Sequence, residues 1–558
     1  MRMPARALLR SLPVRALVFV FAGAIPAAAG EWVETATIVA DKVMVFNGIP
    51  RRYGWGEDFV YRAASSTADT RSIGSPWLGG IPVVDIWAEG QGGVALFNTT
   101  PYHEPFKVQV LVGNGRVTIR AAQGANIEKY EHDGDYFEAL REYARRMSVK
   151  GIAMRSAPGW AFDPIWETYG FEETWTAATV RNMLPLLKQL GIKTITLDSG
   201  WYGEGTRDWD AHTGDFPVNP DTIGTEQDLK DLIAELHAQG FRVRLWWVGG
   251  VSETNTRLHR DHADWFYSKV TPSWGDPGDT GDWYLDPTYG AVREWNKRIV
   301  QRFIGYGADG FKIDDVYEID EDDDVKSYHS AYSQLFREAY ETATASKADF
   351  CINICNCGIA QNFFDLPGEN QLITSDPVGP KQFRHRAKYL HALNLNHGAV
   401  LGDHVELTEG DVGPEELKRP GFYASIADSD FASTVALGMV LETKCRIDPG
   451  SRYRRWFQAY REHKFYEMEW INVPYYSWKR IETYLLRSSN GDLFFSFFAA
   501  NKGSYSGNVT LSNLQSGARY SVYDIVGERT LGSFTAQGSS KDFKVKVKDC
   551  LVVRVSKE

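Results

Sequence analysis

Both ends of the chain alternate hydrophobic and polar residues with a period of two. The run Val108 to Val112 alternates, Asn114-Gly115 follows, and the alternation resumes from Val117 to Ile119. Near the other end, Phe543 to Lys548 alternates in the same way, and Asn490-Gly491 separates two further apolar runs. Alternate side chains of a strand point to opposite faces, and Asn-Gly favours a two-residue turn. The pattern therefore predicts an N-terminal β-sandwich over residues 30–155 and a small antiparallel β-sandwich over 469–558.

The period changes to that of helices in the middle of the chain. Apolar residues follow the i, i+3, i+4, i+7 spacing after Thr225 and Asp228, which resemble a capping box, and Gly240 suits the position after the helix end. Further helices are predicted over Phe171–Leu190, which contains Pro185, and along a stripe at Val292, Trp295, Ile299 and Phe303. Tyr136–Met147 is predicted as a helix that leads out of the first sandwich.

Short apolar runs alternate with these helices, which is typical of parallel βα units. Eight runs are candidate strands: Phe162–Trp166, Thr194–Asp198, Val243–Trp247, Gly310–Asp314, Phe350–Cys355, Leu372–Asp376, Ala399–Asp403 and Thr434–Met439. We therefore predict an α/β protein with a (β/α)8 TIM barrel over residues 156–468, flanked by the two sandwiches. Five of the eight runs end on a polar or reactive residue, and the carboxyl ends of barrel strands share the face where active sites form.

The first 29 residues have the pattern of a signal peptide. Four arginines, at positions 2, 6, 10 and 15, precede an apolar stretch from Ala16 to Ile25, and Ala27-Ala28-Ala29 is a small-residue cleavage site. No later stretch approaches the length of a membrane helix. The sequence therefore predicts a secreted or periplasmic protein that has no membrane segment after cleavage.

Composition narrows the classes of partner. The 558 residues carry a net charge of −11 and no basic arm, which argues against a nucleic-acid partner. Aromatic residues make up 13% of the chain, including 18 tryptophans; this suits a sugar binder and equally suits a large aromatic core. The five cysteines leave at least one thiol free, predict no zinc site, and do not assign a disulfide.

Two acids are the strongest candidates for catalysis. Lys312 and Asp314 lie two positions apart on one strand and so face the barrel mouth together, where a nearby ammonium favours the ionised carboxylate that a nucleophile needs. The alternative is a Lys–Asp ion pair that fills the barrel interior, and Asp315 is a second choice. Asp376 ends its own strand and, beside another carboxylate, could hold a proton as a general acid. Its alternative is a helix N-cap, since Pro377 follows.

Further polar and aromatic residues at strand ends are candidates for binding a sugar. Asp198 precedes a Ser-Gly-Trp turn, and Trp201 could pack beside a sugar that Asp198 holds. Trp246 ends the third strand and could line the pocket. For each of these residues, a turn or core role is an equal alternative. The acidic run 318–324 lacks the glycine and distal glutamate of an EF-hand loop and is predicted to be a solvated loop.

As a set, these segments resemble glycoside hydrolase family 36, the melibiases, and more distantly family 27. The matching segments are Trp166–Tyr169, Leu197–Trp201, Lys312–Asp314, Cys355–Gly358, Thr374–Asp376 and Gly402–Val405. The resemblance implies Asp314 as nucleophile, Asp376 as acid/base, and Asp198, Lys312, Trp166, Trp201, Trp246 and Cys355 as substrate-binding residues, with no metal or organic cofactor. Ser199 stands where the family has a second Asp, and Val248-Gly249-Gly250 replaces a Glu-Pro-Glu, which indicates a changed sugar preference.

The sequence thus predicts a retaining exo-α-glycosidase, foremost an α-galactosidase, that acts on an oligosaccharide or glycoconjugate. The alternatives are an α-N-acetylgalactosaminidase or β-L-arabinopyranosidase, a transglycosidase, and a non-catalytic sugar-binding protein. Retention predicts the two carboxyl groups at about 5–5.5 Å from each other. The sequence gives neither the linkage nor the oligomeric state.

Overall fold

The computed structural model describes residues 32–48, 60–64, 69–73, 80–100, 108–113, 115–124, 126–169, 175–205, 212–269, 282–314, 325–355, 362–374, 380–403, 428–443, 451–500 and 503–558. The predicted signal peptide, Asp315, the acidic run 318–324, Asp376, Cys357 and Cys445 lie outside these residues. Within them, no helix combines the length and the apolar composition that crossing a bilayer requires.

The N-terminal region forms two antiparallel sheets. Its strands are β1 (Trp32–Val39), β2 (Lys42–Asn47), β3 (Val60–Ala64), β4 (Asp69–Ile73), β5 (Val83–Ala88), β6 (Gly92–Phe97), β7 (Val108–Gly113), β8 (Arg116–Ala122) and β9 (Glu128–His132). One sheet has the order β1-β8-β7-β4 and the other β3-β2-β5-β6-β9. Val45, Ile86, Val110 and Ile119 belong to one buried cluster, which joins the two sheets. The predicted hairpin is confirmed, because β7 pairs with β8 across a turn that contains Gly115 at φ +69°.

Helix α1 (Tyr136–Ser148) leads from this sandwich to the barrel, as predicted. The barrel region then contains β10 (Ile165–Glu167), α2 (Ala177–Leu190), β11 (Thr194–Leu197), α3 (Glu226–Ala238), β12 (Arg242–Val248), β13 (Val251–Glu253), α4 (Arg257–Asp261), β14 (Phe266–Lys269), β15 (Asp282–Leu285), α5 (Gly290–Tyr306), β16 (Gly310–Asp314), α6 (Val325–Ser346), β17 (Cys351–Ile354), β18 (Gln371–Ile373), α7 (Pro380–Leu393), β19 (Ala399–Gly402), α8 (Asp428–Thr434), β20 (Val440–Thr443) and α9 (Ser451–His463). Strands β13 to β15 form a small antiparallel sheet inserted after β12.

Eight parallel strands form a nearly closed barrel in the order β17-β16-β12-β11-β10-β20-β19-β18. Side chains help to close the remaining gap between β17 and β18. The Asn370 backbone N–H donates to the Ile352 carbonyl at 3.1 Å, and the Asn370 side-chain oxygen accepts from the Ile352 N–H at 2.9 Å. The predicted TIM-like barrel with flanking antiparallel sheets is therefore confirmed.

The predicted eighth strand was misplaced. Residues 434–439 complete helix α8 and continue into a 3-10 turn over Val435–Leu437, and the strand is β20, a few residues later. Gly438 adopts φ +76°, which ends the helical segment and turns the chain into β20. A short, fully buried apolar run has no period that distinguishes a helix from a strand, and this explains the error.

Local signals set the helix boundaries. In α3, the Thr225 hydroxyl accepts from the Asp228 N–H at 3.2 Å and the Asp228 carboxylate accepts from the Thr225 N–H at 2.7 Å, so the predicted capping box is confirmed. Gly240 has φ +89° after the helix end. Helix α2 begins at Ala177 rather than Phe171, because Thr176 caps it.

The C-terminal region is a second antiparallel unit with its own buried core. Its strands are β21 (Glu469–Ile471), β22 (Ile481–Arg487), β23 (Leu493–Ala499), β24 (Ser504–Leu511), β25 (Arg519–Asp524), β26 (Arg529–Thr535), β27 (Lys541–Lys548) and β28 (Cys550–Lys557). Strands β22 and β23 pair around Gly491, as predicted from Asn490-Gly491, and β24 pairs with β27.

One buried acid joins all three regions. The Asp135 carboxylate, at the start of α1, accepts from the Phe137 N–H, from Lys388 of α7 at 2.5 Å and from the Tyr475 N–H at 2.7 Å. Lys388 belongs to the barrel, and Tyr475 lies between β21 and β22 of the C-terminal region. Asp135 therefore fixes the N-terminal and C-terminal regions to the barrel on the side of α7.

A buried histidine makes the stability of this junction depend on pH. His391 of α7 stacks on Trp470 with ring centroids 4.8 Å apart, and burial lowers the pKa of His391 to about 4, although a hydrogen bond to the Leu437 backbone opposes the shift. The unfolded chain binds this proton below about pH 6.5 while the folded chain does not, so stability falls as pH drops from about 6.5 to about 4.

We expect His391 to account for a loss of ~3 kcal/mol across that window. Substituting His391→Asn removes the titrating ring, so the unfolding free energy of the variant should vary less with pH between 6.5 and 4 than that of the parent. Denaturant unfolding at several pH values measures both slopes. Equal slopes for the two proteins would contradict the assignment.

Candidate active site

The carboxyl ends of the barrel strands bring acids together around one lysine. Glu167 ends β10, Asp198 follows β11, Lys312 and Asp314 lie on β16, and Asp403 follows β19. Strands β12 and β16 are in parallel register, with Trp246 opposite Lys312 and Val248 opposite Asp314. This is the face on which the sequence predicted the site.

Lys312 binds two acids at once. Its Nζ lies 3.2 Å from Glu167 Oε2 and 3.1 Å from Asp198 Oδ2, and all three side chains are buried. Burial by itself lowers the pKa of Lys312, but the carboxylates of Asp198 and Glu167, with smaller contributions from Asp314 and Asp403, raise this pKa well above its usual value. Lys312 is therefore a permanent cation between two acids.

Asp198 fixes the turn after β11 and also contacts Lys312, and its role in holding a sugar stays a prediction. One carboxylate oxygen accepts from the Ser199 N–H at 2.9 Å, which fixes the turn, and the other contacts Lys312. Burial raises the pKa of Asp198 to about 6; Lys312 opposes this shift, while Glu167 and Asp314 add to it. Glu167 and Asp198 thus share Lys312, so a single positive charge faces two buried carboxyl groups.

Asp314 is held in place by an indole. The Nε1–H of Trp246 donates to Asp314 Oδ2 at 2.8 Å. Trp246 is itself fixed, because its carbonyl accepts from the Trp201 Nε1–H at 2.7 Å. Asp314 is partly exposed, whereas the acids beside Lys312 are buried. A partly exposed carboxylate with a fixed orientation suits attack on a bound substrate.

A second buried polar group fills the barrel below these acids. Arg244 is fully buried and donates to Gln371 at 2.7 Å and to Glu442 at 3.4 Å. Oxygens of Glu167, Asp403 and Glu442 lie within 4.8 Å of one another, a spacing that would suit a metal ion. Two of these acids already contact cations of the protein, Lys312 and Arg244. Glu167 and Glu442 are therefore paired with cations of the chain itself.

The structure brings some predicted residues together and separates others. Asp314, Lys312, Asp198 and Trp246 meet at one rim. Trp166 and Trp201 are fully buried in the large core cluster. Ile165, the neighbour of Trp166 on β10, belongs to a different buried cluster, so the two side chains point to opposite faces of the strand. Because side chains alternate along a strand, Glu167 rather than Trp166 faces Lys312. The structure places Trp166 and Trp201 behind the site. That either residue contacts a sugar stays a prediction.

Cys355 and Asp376 complete the predicted set. Cys355 is buried directly after β17, and its backbone N–H donates to the Ile313 carbonyl at 2.7 Å. Asp376 lies outside the described residues. Thr374, two positions before it, accepts from the Asp403 N–H at 2.9 Å, so the chain enters that segment beside the acid rim.

Sequence reasoning missed Glu167 and Asp403 as members of the site. A usable signal was present for both, since each acid ends or directly follows an apolar strand, as Asp198 does. For Glu167 the boundary of the predicted strand was one residue short. Trp166, which the family resemblance implied as a substrate-binding residue, lies on the opposite face of the same strand.

The chain is similar in sequence to known glycosidases. Residues 146–275 match the melibiase family model. The chain is 26% identical over 513 residues to the A type blood alpha-D-galactosamine galactosaminidase of Flavonifractor plautii, a match that covers 85% of this chain and 44% of the relative. The chain therefore spans less than half of that relative's length.

Solved structures show the same fold. A variant of the family 36 alpha-galactosidase AgaA from Geobacillus stearothermophilus, in complex with raffinose, has a TM-score of 0.63 at 14% identity and covers 94% of this chain and 76% of its own. A variant of a family 27 β-L-arabinopyranosidase from the same organism, in complex with arabinose, has a TM-score of 0.55 at 12% identity and covers 71% and 98%. The predicted resemblance to family 36, and more distantly to family 27, is confirmed.

Proposed function

We propose that the chain is a glycoside hydrolase of the α-galactosidase type, and more narrowly a retaining exo-α-glycosidase that removes a terminal galactose-type sugar from an oligosaccharide or glycoconjugate. The observation that carries the proposal is the oriented carboxylate of Asp314, fixed by Trp246 at the rim where Lys312 joins Glu167 and Asp198. Raffinose in the AgaA complex supports an oligosaccharide substrate.

The chemistry follows from the geometry of Asp314. Its carboxylate attacks the anomeric carbon and forms a covalent glycosyl-enzyme, while the leaving oxygen takes a proton from a second carboxyl group. The family motif assigns that second role to Asp376. Water, deprotonated by the same residue, then releases the sugar with its configuration retained. We also assign to Asp198 and Lys312 the holding of sugar hydroxyls, which their charged groups near Asp314 support.

A second candidate is an α-galactosaminidase. It is favoured by the Flavonifractor plautii relative, whose match extends over 85% of this chain, whereas the alpha-galactosidase AgaSK of Mediterraneibacter gnavus matches over 18% of it. Ser199, in place of the second family Asp, also supports a sugar other than plain galactose.

We further propose that the N-terminal segment exports the protein to the periplasm or the medium.

A panel of aryl α-glycosides distinguishes these candidates. We expect turnover of the α-galactoside, the α-galactosaminide or both, and a rate at least about tenfold lower on the α-glucoside. A galactose-type and a glucose-type sugar differ in the orientation of one hydroxyl group, and buried polar groups discriminate strongly between such hydroxyls. Nuclear magnetic resonance of the first product should show the α-anomer. An aryl β-L-arabinopyranoside and the α-N-acetylgalactosaminide complete the panel.

The other outcomes have definite meanings. A β-anomer as the first product of an α-glycoside would contradict the retaining mechanism. Faster transfer to an added sugar acceptor than to water would identify a transglycosidase. Sugar binding without turnover of any member of the panel would identify a non-catalytic protein and reject the proposal.

A further inference from the structure

A cleft lies away from the barrel mouth, where helix α7 meets the C-terminal region. It has a volume of about 620 Å³ and is lined by Lys388, by residues 473–476 and 478–484, and by part of β24. That volume is within the range of small-ligand sites, about 300–1,000 Å³. None of its lining residues belongs to the rim around Lys312, so the proposed glycosidase chemistry does not account for it.

One wall of this cleft is aromatic. The rings of Tyr476 and Trp478 lie 5.2 Å apart, and both side chains are half-buried. Trp478 is oriented by its Nε1–H, which donates to Glu89 at 3.2 Å, and by Lys42, whose Nζ lies 5.6 Å from the ring. Burial raises the pKa of Tyr476 to about 12, so its hydroxyl keeps its proton as a donor. Fixed aromatic faces with polar edges suit the C–H faces and hydroxyls of sugars.

A row of lysines lies next to the cleft, on the strand that pairs with β24. Lys544, Lys546 and Lys548 are exposed on β27, and Lys544 lies opposite Asn508 of β24, which lines the cleft. Residues opposite each other in an antiparallel pair share a face, and alternate residues are ~7 Å apart. None of the three ammonium groups forms an ion pair or hydrogen bond with a described residue, and the same holds for the exposed Arg480 guanidinium at the cleft.

This local positive charge stands out on a protein with a net charge of −11. Unpaired, aligned cations attract anionic groups and fix them by charge-assisted hydrogen bonds. Aromatic residues alone would suit a neutral sugar, and lysines alone would suit any polyanion. The two together select a ligand that has both a sugar ring and negative charge.

We propose that the cleft and the lysine row on β27 form a binding site for an anionic oligosaccharide, a sugar chain that bears carboxylate or sulfate groups. The sugar ring lies against Tyr476 and Trp478, and the acidic groups extend along Lys544, Lys546 and Lys548. This site goes beyond the proposed hydrolase activity and does not depend on it.

Calorimetric titration of the full chain tests the proposal. The probes are a heparin-derived hexasaccharide, which is sulfated, an oligogalacturonide of the same length, which carries only carboxylates, and neutral maltohexaose. We expect binding of at least one anionic probe, weaker at high salt because ionic contacts are screened, and no comparable binding of maltohexaose. The two anionic arms show which acidic group the site takes.

Two variants separate the parts of the site. Lys544→Gln/Lys546→Gln/Lys548→Gln and Trp478→Ala should each weaken binding about tenfold or more. The control, Lys193→Gln/Lys230→Gln/Lys297→Gln, also removes three positive charges, all from the barrel region, and should leave binding unchanged. Circular dichroism confirms that each variant is folded.

Three results would overturn the proposal: no binding of either anionic probe, equal binding by the triple-lysine variant and the parent, or equally tight binding of a single-stranded oligonucleotide of the same charge. The last result would identify a non-specific basic surface rather than a sugar site.

Discussion

Replacing Asp314 by Asn should lower kcat/KM on the preferred aryl α-glycoside about 10⁴-fold or more, because the nucleophile of a double displacement has no substitute within the site. The side chain keeps its shape, and its amide oxygen can still accept the 2.8 Å hydrogen bond from Trp246. The fold should therefore persist, with a thermal midpoint close to that of the parent.

The controls for Asp314→Asn separate chemistry from general damage. Added azide or formate should restore part of the rate of the shorter variant Asp314→Ala with an activated substrate, because the anion can enter the space that the carboxylate leaves and attack the sugar. Asp349→Asn removes an acid that pairs with Arg242 at 3.2 Å, ahead of β17, and should leave turnover within about twofold of the parent. An Asp314→Asn variant that retains more than about a hundredth of the parent rate would contradict the nucleophile assignment.

Replacing Lys312 by Met should lower the unfolding free energy of the protein and also reduce its activity. The substitution keeps the length of the side chain but leaves Glu167 and Asp198 buried without their shared cation. Breaking a buried ion pair in this way costs about 3–5 kcal/mol. Because the lost ammonium also stabilised charge beside Asp314, we expect turnover to fall by about two orders of magnitude or more. Denaturant unfolding and steady-state kinetics measure the two effects.

A second substitution tests the cause of the instability. Lys312→Met/Glu167→Gln removes one of the two acids that Lys312 compensates, so part of the lost stability should return while activity stays low. If the double variant is no more stable than Lys312→Met, the electrostatic account of this group is wrong.

Much of the architecture could be predicted from local patterns. Asn-Gly turns located two hairpins, and the capping box at Thr225 located α3, because turn and cap chemistry depends on neighbouring residues alone. The strand Gly310–Asp314 was placed with its observed bounds. Since i and i+2 residues share a strand face, that placement also predicted that Lys312 and Asp314 would point together to the barrel mouth.

The remainder depended on contacts that a local pattern does not contain. Strand β10 is three residues long and fully buried, so neither its bounds nor its inward face could be derived from periodicity, and Trp166 was chosen where Glu167 contacts Lys312. The partners of Lys312 lie on two other strands, 145 and 114 positions away. Only closure of the barrel brings such residues together.

The most direct test of the central claim, that Asp314 attacks the sugar, is to trap the covalent intermediate. An activated, fluorinated α-galactoside or α-galactosaminide that forms the glycosyl-enzyme faster than it is hydrolysed should inactivate the protein with one label per chain. Peptide mass spectrometry should then find the label on the peptide that contains Asp314, and Asp314→Asn should take up none. Inactivation with the label on another carboxylate, such as Asp198 or Asp403, would contradict the account.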